Sequence, residues 1–389
     1  MKRKPSTTHG ISFQNAVLVF PLLMISGIIW TTRAQQPEVA LRDVFKTDFL
    51  IGAALNRRQF SEDDKRGLSI IESHFNSITP ENQLKWQYVH PLPGKYDFAA
   101  ADQYVAFGEK HRMLVIGHTL VWHRQTPDWV FQGEKGKLVD RDTLLARMKE
   151  HIQTVVGRYK GRIKGWDVVN EAINSDGTLR ESLWLKIIGP DYVVKAFQFA
   201  HEADRGAELY YNDYALEDAP KRNGAVKLIQ QLKEQNVPVA AVGLQGHDRL
   251  DWPSLEQQDI TISTFANLGF RVNITELDVD VLPVVSEDIG PTLKLTDELQ
   301  VKLNPFRSGL SDSISKEQAR RYADLFNVYL KHRDVIDRVT FWGVTDADTW
   351  LNNWPVRGRT NYPLLFDRTG QPKEAFAAVV KTAQDFKRE

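Results

Sequence analysis

Two glutamates stand at the ends of separate apolar segments, and their type and position suit acid–base chemistry. Glu171 follows a segment that begins at Trp166, and Glu276 lies in a similar segment that begins at Val272. An unpaired carboxylate at the edge of a core loses hydration that it cannot easily recover, so two such residues predict a carboxylate pair. Such a pair can protonate a leaving oxygen on one side of a reacting centre and stabilise positive charge on the other.

The elements that position these glutamates are short apolar runs alternating with longer segments of helical periodicity. The helical segments have one apolar face, as in the spacing of Leu144, Met148 and Ile152. Eight strand and helix units close into a barrel whose chemistry lies on the loops at the carboxyl ends of the strands. The sequence therefore predicts an α/β fold, a (β/α)8 TIM barrel, with strands at residues 49–53, 76–79, 113–117, 163–170, 207–211, 239–244, 271–277 and 338–341.

Polar and aromatic residues collect at the carboxyl ends of these predicted strands. In chain order they are Glu81, Asn82, Lys85, His118, Trp122, Asn170, Glu171, Asn212, Tyr214, Gln245, His247, Glu276, Asp278, Trp342 and Trp350. Together they predict a cleft for a polyhydroxylated ligand, with hydrogen bonds to hydroxyl groups and indole rings against the faces of sugars.

Composition narrows the classes of partner. The chain has 50 basic and 50 acidic side chains, so no long-range field favours nucleic acid or an anionic membrane surface. Ten tryptophans fit carbohydrate binding, and the absence of cysteine excludes disulfides. We expect a neutral or weakly charged substrate, no nucleic acid and a monomer.

The first 34 residues have the pattern of a secretory signal peptide. Lys2, Arg3 and Lys4 precede an apolar stretch at residues 16–30, which is shorter than the roughly 20 residues that a spanning helix needs. We expect cleavage after Ala34, export as a secreted or periplasmic protein, and no membrane association after processing. The alternative is an uncleaved N-terminal anchor.

Several motifs in the remaining chain resemble those of glycoside hydrolase family ten, whose members are mostly endo-β-1,4-xylanases. The resemblance covers nearly everything from Leu41 to Phe386, so we expect one catalytic domain at residues 41–386. The matching segments are Trp166-Asp167-Val168-Val169-Asn170-Glu171-Ala172, Ile274-Thr275-Glu276-Leu277-Asp278, Gly117-His118-Thr119-Leu120-Val121-Trp122-His123, Leu244-Gln245-Gly246-His247 and Trp342-Gly343-Val344-Thr345-Asp346.

The resemblance implies endo-hydrolysis of xylan or xylo-oligosaccharides by a retaining mechanism, without a cofactor. Glu171 would be the acid/base and Glu276 the nucleophile, with carboxyl groups about 5 to 5.5 Å apart. The sugar preceding the scissile bond would be lined by Asn170, His118, Trp122, Lys85, Gln245, His247 and Trp342, and the next sugar would be held by Glu81, Asn82 and Trp350. Tyr214 is a further candidate for substrate binding. Asp278 would fix the imidazole of His247, which in turn would orient Glu276.

Other interpretations remain open. His118, His123 and His247 admit a metal site, although their spacing matches no zinc signature, and we expect no metal. A catalytically inactive carbohydrate-binding barrel would keep the cleft without turnover. A related retaining barrel enzyme acting on glucan or mannan would differ in tolerating the hydroxymethyl group of a hexose.

The sequence departs from the family pattern in places that reshape the predicted cleft. Ala215 stands where an asparagine is frequent, and Arg124 where a serine is frequent. The segment 281–313 is longer than in compact members. We hypothesise that Arg357 and Arg359 lie near the sugar two places before the scissile bond and pair with acidic side groups on xylan.

Overall fold

Eight parallel strands close into a barrel in the computed structural model, which describes residues 39–286 and 290–388. The predicted signal peptide, residues 1–34, lies outside the described residues. The strands are β1 (Leu50–Leu55), β2 (Ser77–Pro80), β3 (Leu114–Trp122), β4 (Gly165–Asn170), β5 (Glu208–Asp213), β6 (Ala241–Leu244), β7 (His247–Arg249), β8 (Arg271–Asp280) and β9 (Ile336–Phe341). Pairing runs in the order β6-β5-β4-β3-β2-β1-β9-β8, and β6 also pairs with β8, which closes the ring. The predicted TIM barrel is confirmed.

The eight predicted strands correspond to β1 to β6, β8 and β9, while the three-residue strand β7 was not predicted. It pairs with the end of β8, where His247 lies opposite Asp278. Strands β3 and β8 also extend beyond the predicted ends, as far as Trp122 and Asp280. Polar side chains in these extensions interrupt the apolar pattern, although the backbone continues to pair with its neighbours.

Helices surround the barrel, and most of them bury apolar side chains. Their bounds are α1 (Leu41–Val44), α2 (Arg57–Phe60), α3 (Lys65–His74), α4 (Trp86–Val89), α5 (Ala99–Lys110), α6 (Arg141–Arg158), α7 (Leu183–Ile188), α8 (Tyr192–Ala203), α9 (Ala219–Glu234), α10 (Leu255–Asn267), α11 (Asp297–Leu303), α12 (Asp312–Lys331) and α13 (Glu374–Phe386). Helix α6 buries Leu144, Met148 and Ile152, as their spacing predicts, whereas α11 buries no side chain. No helix in the described part of the chain is long and apolar enough to cross a membrane.

The described part of the segment 281–313 packs on the loop that follows β9. Asn304 joins the two, since its Oδ1 accepts from the Thr360 amide at 2.7 Å and its Nδ2 donates to the Gly358 carbonyl at 3.4 Å. Arg359 is buried and donates to the carbonyls of Pro283 and Trp354. The hypothesis that Arg359 pairs with acidic substrate groups is therefore wrong, because its guanidinium is used inside the loop.

Close approach of a tryptophan requires glycine at one position in the barrel. Gly117 of β3 lies beside Trp166 of β4, and a Cβ on Gly117 would lie 2.1 Å from the Trp166 ring. Trp166 is buried among core side chains, so it has little room to move away.

We predict that Gly117→Ala lowers the free energy of unfolding by about 1–3 kcal/mol, because the added methyl overpacks the barrel. The matched control is Gly157→Ala, on an exposed part of α6 where nothing lies within 4 Å of a Cβ. That change should raise stability by up to about 1 kcal/mol, since alanine favours helix. Urea denaturation of both variants measures the difference, and equal stabilities would contradict the argument.

Candidate active site

A cleft of about 500 Å³ opens at the carboxyl ends of the barrel strands. The thirteen residues predicted for catalysis or substrate binding all line it: Glu81, Asn82, Lys85, His118, Trp122, Asn170, Glu171, Tyr214, Gln245, His247, Glu276, Trp342 and Trp350. Asp278 lies behind this lining, where it contacts His247 and Trp350. The barrel thus gathers into one cavity residues that are spread over most of the chain.

Glu171 lies just beyond β4 in an unusual backbone conformation, with φ of +58°. Left-handed backbone is costly for a residue with a Cβ, and such strain concentrates at functional sites. Its carboxyl accepts hydrogen bonds from Trp122 Nε1 at 2.9 Å and Gln245 Nε2 at 3.2 Å. The backbone therefore turns this side chain into the cleft, where an indole and an amide hold it.

The surroundings of Glu171 favour its protonated form. Burial raises the pKa of Glu171 most, the negative charge of Asp213 raises it further, and Glu276 adds to the effect. Hydrogen bonds from Trp122 and Gln245 oppose the shift without reversing it. Asp213 itself is fully buried against Lys221 Nζ at 2.8 Å, so its charge is held in place beside the cleft.

The surroundings of Glu276 have the opposite effect. Burial alone would raise the pKa of Glu276, but the hydrogen bond from His247 and the positive charges of His118 and His247 outweigh burial and lower it. His247 Nε2 lies 3.2 Å from Glu276 Oε2, and Asn212 Nδ2 donates to Glu276 Oε1 at 2.8 Å. Glu276 is therefore held in its ionised form.

His247 owes its charge to two carboxylates. Its Nδ1 lies 3.1 Å from Asp278 Oδ1, and Asp278 Oδ2 accepts from Trp350 Nε1 at 2.8 Å. Burial would lower the pKa of His247, but Asp278 and Glu276 raise it well above its ordinary value. The imidazolium donates from both nitrogens, and the contact with Asp278 holds the ring against Glu276.

A chain of side-chain amides joins the two glutamates. Asn212 Nδ2 donates to both Glu276 Oε1 and Asn170 Oδ1, at 2.8 and 3.0 Å, and Thr275 Oγ1 donates to Asn212 Oδ1 at 2.6 Å. Gln245 Nε2 then donates to Asn170 Oδ1 at 3.2 Å and reaches Glu171. Because the Asn170 oxygen is occupied twice, its amide orientation is fixed.

Cationic and aromatic groups surround the rest of the cleft. His118 Nδ1 lies 2.9 Å from Asp167 Oδ2, and the His118 ring meets Trp342 edge-on at 5.3 Å. Lys85 Nζ donates to Asn82 Oδ1 at 3.2 Å and lies 5.0 Å from the centre of the Trp122 ring. Burial lowers the pKa of Lys85, although nearby carboxylates oppose the shift. Lys85 is buried in the cleft, so its ammonium group is not part of an ion pair on the protein surface.

Sequence reasoning missed several residues of the site. Asn212 was predicted at the carboxyl end of its strand but was given no role in catalysis or binding, and its bridge between two other strands could not be predicted from spacing. The residues that line the cleft and had been given no role in catalysis or substrate binding are His123, Arg124, Gln125, Arg180, Ala215, Trp252 and Trp354. The guanidinium of Arg124 lies over the Trp354 ring at 5.1 Å, so the loop after β3 meets the loop after β9 at the cleft.

Comparisons with known proteins agree with this geometry. The model of glycosyl hydrolase family 10 matches residues 40–382. This chain belongs to glycosyl hydrolase family 10. It is therefore a glycoside hydrolase, and the predicted family is confirmed.

Among the family 10 relatives, endo-1,4-beta-xylanase A of Xylanibacter ruminicola is 45% identical over 346 residues, which cover 89% of this chain and 94% of that protein. A family 10 endoxylanase from a sugarcane soil metagenome has a TM-score of 0.84 and 44% identity, covering 89% of this chain and 100% of that one. A mutant structure in complex with xylotriose has a TM-score of 0.78 and 37% identity, and the match covers 88% of this chain and 99% of that one.

Within residues 39–286 and 290–388, no three His, Asp or Glu side chains are grouped as metal ligands. Burial lowers the pKa of His123 to about 3, with the charges of Arg180 and Arg124 contributing, so this ring is neutral at neutral pH. His118 and His247 are each paired with an aspartate instead.

We predict that His247→Asn raises the pKa of Glu276, because the variant removes a positive charge and a charge-assisted hydrogen bond. Carboxyl carbon NMR of glutamate-labelled protein measures the titration, with Glu276→Gln assigning the resonance. His332→Asn is the control, because His332 lies away from the cleft, where its Nε2 is 2.6 Å from Asp259 Oδ1. An unchanged or lower pKa for Glu276 in His247→Asn would refute the role of the imidazolium.

Proposed function

We propose that this chain is an endo-1,4-β-xylanase that hydrolyses internal bonds of xylan with retention of configuration. The observation that carries the proposal is the presence in one cleft of two glutamates with opposite pKa shifts, raised at Glu171 and lowered at Glu276. When the surroundings raise the pKa of one carboxyl group and lower that of the other, the first can act as an acid and the second as a nucleophile. Membership of family 10 and the xylanase names of the relatives support the substrate.

In the first step, Glu171 gives its proton to the glycosidic oxygen while Glu276 attacks the anomeric carbon. The bond between that carbon and the leaving oxygen breaks, and an ester to Glu276 forms. The ionised carboxylate of Glu276 supplies the electron pair. The imidazolium of His247 and the amide of Asn212 hold this carboxylate in position. The shortened chain leaves with a new hydroxyl group.

In the second step, the ester at Glu276 carries no charge. One of the causes that raise the pKa of Glu171 is then removed, so Glu171 more readily stays ionised and accepts a proton from water. The water oxygen attacks the anomeric carbon, the ester breaks, and Glu276 regains its negative charge. Activity therefore requires Glu276 ionised and Glu171 protonated, and falls on both sides of a pH optimum.

The fixed amide of Asn170 is placed to contact the sugar beside the scissile bond. Its oxygen accepts from Asn212 and Gln245, and its Nδ2 donates to Glu171 Oε1 at 3.4 Å, which directs the amide nitrogen toward the cleft. A hydrogen bond to a 2-hydroxyl that strengthens in the transition state contributes to rate as well as to binding. Glu81, Asn82 and Trp350 then bind the next sugar, and Tyr214 lies on the side of the leaving group.

Two other functions have less support. An inactive carbohydrate-binding barrel would not need both carboxyl groups, nor the imidazolium that keeps Glu276 ionised. An enzyme for glucan or mannan would need space for a hydroxymethyl group. In an apolar pocket, a group of this size changes the free energy of transition-state binding by about 1–3 kcal/mol. The names of the relatives, and the xylotriose bound in one similar structure, favour a pentose polymer.

We also propose that residues 1–34 direct export, with residues 41–386 as the catalytic domain. The basic start, the short apolar stretch and the polar end at Ala34 support a cleaved leader. The exported enzyme would act as a monomer on xylan outside the cytoplasm, without a cofactor or metal.

A 2-deoxy-2-fluoro-β-xylobioside with a good leaving group should inactivate the enzyme and add one fluoroxylobiosyl group to Glu276. The fluorine slows both steps and the leaving group restores the first, so the ester accumulates. Peptide mass spectrometry locates the label. Glu81→Gln, which keeps both proposed catalytic groups, should still be labelled, whereas Glu276→Gln should not. Label on any other residue would overturn the assignment.

Product mapping should separate the candidate substrates. We expect arabinoxylan and glucuronoxylan to yield fragments of many lengths early in the digestion, which shorten to oligosaccharides as it proceeds, as endo-cleavage requires, with the β-anomer formed first. Glucan and mannan should react at least about tenfold more slowly, the lower end of the discrimination that one hydroxymethyl group provides. Faster cleavage of either hexose polymer would identify the alternative enzyme, and no cleavage of any polymer would identify the inactive barrel.

A further inference from the structure

The strained backbone at Glu171 needs contacts that hold it. A residue with a Cβ at φ of +58° is strained, and it persists only where the surrounding structure fixes it. On the amide side, Glu171 N donates to the Asn212 carbonyl at 2.9 Å and Ala172 N donates to Tyr211 OH at 3.2 Å. These bonds do not fix the carbonyl groups of the turn.

Arg180 supplies the bonds on the carbonyl side. Its Nε donates to the Glu171 carbonyl at 2.9 Å, and its backbone amide donates to the Ala172 carbonyl at 2.7 Å. One residue therefore holds both successive carbonyls at the end of β4. A guanidinium suits this task, because its donors point in fixed directions from a rigid plane.

The position of Arg180 is itself determined from two directions. The chain folds back from Ile173 to Leu179 in a short hairpin, which returns Arg180 to the side of Glu171. At the other end, Arg180 Nη2 donates to Tyr214 OH at 3.0 Å. Lys221 Nζ in turn lies 3.3 Å from the centre of the Tyr214 ring. The side chain thus spans from the turn after β4 to the loop after β5.

From this geometry we propose that Arg180 is a positioning residue that holds Glu171 for proton transfer. The inference rests on the proposed function, in which Glu171 is the acid/base. Without Arg180, the Glu171 carbonyl loses its donor and the turn can relax from its strained conformation. The carboxyl then leaves the position from which it reaches the glycosidic oxygen, while Glu276, on β8, keeps its own contacts with His247 and Asn212.

Leaving groups that differ in their need for a proton test this role. With Arg180→Met we expect kcat/KM for phenyl β-xylobioside to fall about 10- to 100-fold, part of the 100- to 10,000-fold that general acid catalysis contributes. For 2,4-dinitrophenyl β-xylobioside, whose leaving group departs without a proton, kcat/KM should stay within about twofold. The kcat for the dinitrophenyl substrate should fall, because hydrolysis of the ester still needs Glu171 as base.

Two further variants separate the possible failures. Glu171→Ala should show the same selective loss with larger magnitude, and equal loss on both substrates in that variant would overturn the proposed function itself. If Glu171→Ala is selective and Arg180→Met loses equal activity on both substrates, only the role of Arg180 is refuted. A merely structural contribution would lower both rates together.

The matched control is Arg147→Met. Arg147 also donates to backbone carbonyls, those of Trp129, Val130 and Gln132, but does not line the cleft. It should alter stability without changing the ratio of the two rates. Arg180→Lys covers the case in which Arg180→Met does not fold, since lysine keeps the charge and a donor. Its loss should be smaller than that of Arg180→Met but still greater on the phenyl substrate, and equal losses would refute the inference.

Discussion

Two carboxyl groups in one cleft repel each other when both are ionised, so this site depends on surroundings that ionise one and protonate the other. The imidazolium of His247 and the amide of Asn212 lower the pKa of Glu276, whereas burial and the negative charge of Asp213 raise the pKa of Glu171. Neither effect comes from the glutamates themselves. Their different states are a property of the groups packed around them.

The closed parallel barrel makes this arrangement possible. Each strand carries its final side chains to the same end of the ring, so residues from β4, β5 and β8 meet although they are far apart in sequence. Asn212 of β5 bonds at once to Asn170 of β4 and Glu276 of β8. A rigid backbone ring keeps such short hydrogen bonds in register, which loops alone would not do.

Buried charge in this protein is paired rather than isolated. Lys221 lies against Asp213, and His247 lies between Glu276 and Asp278. Breaking one member of such a pair leaves an uncompensated charge in a region of low polarity, which costs far more than the loss of a surface ion pair. The same groups that set the ionisation of the cleft therefore also belong to its structural support.

The sequence by itself determined the barrel, the two glutamates and most of the cleft lining, because the strand pattern places residues such as Glu171 and Trp342 directly after strand ends and the family motifs point to others such as Lys85. It did not reveal that Asn212 bridges two strands, that Arg180 returns to hold the turn at Glu171, or that Arg359 is buried within a loop. Periodicity gives the direction of a side chain from its own strand, whereas these contacts depend on register between strands and on the paths of loops. Tertiary structure alone decided them, and with them the ionisation of the two carboxyl groups.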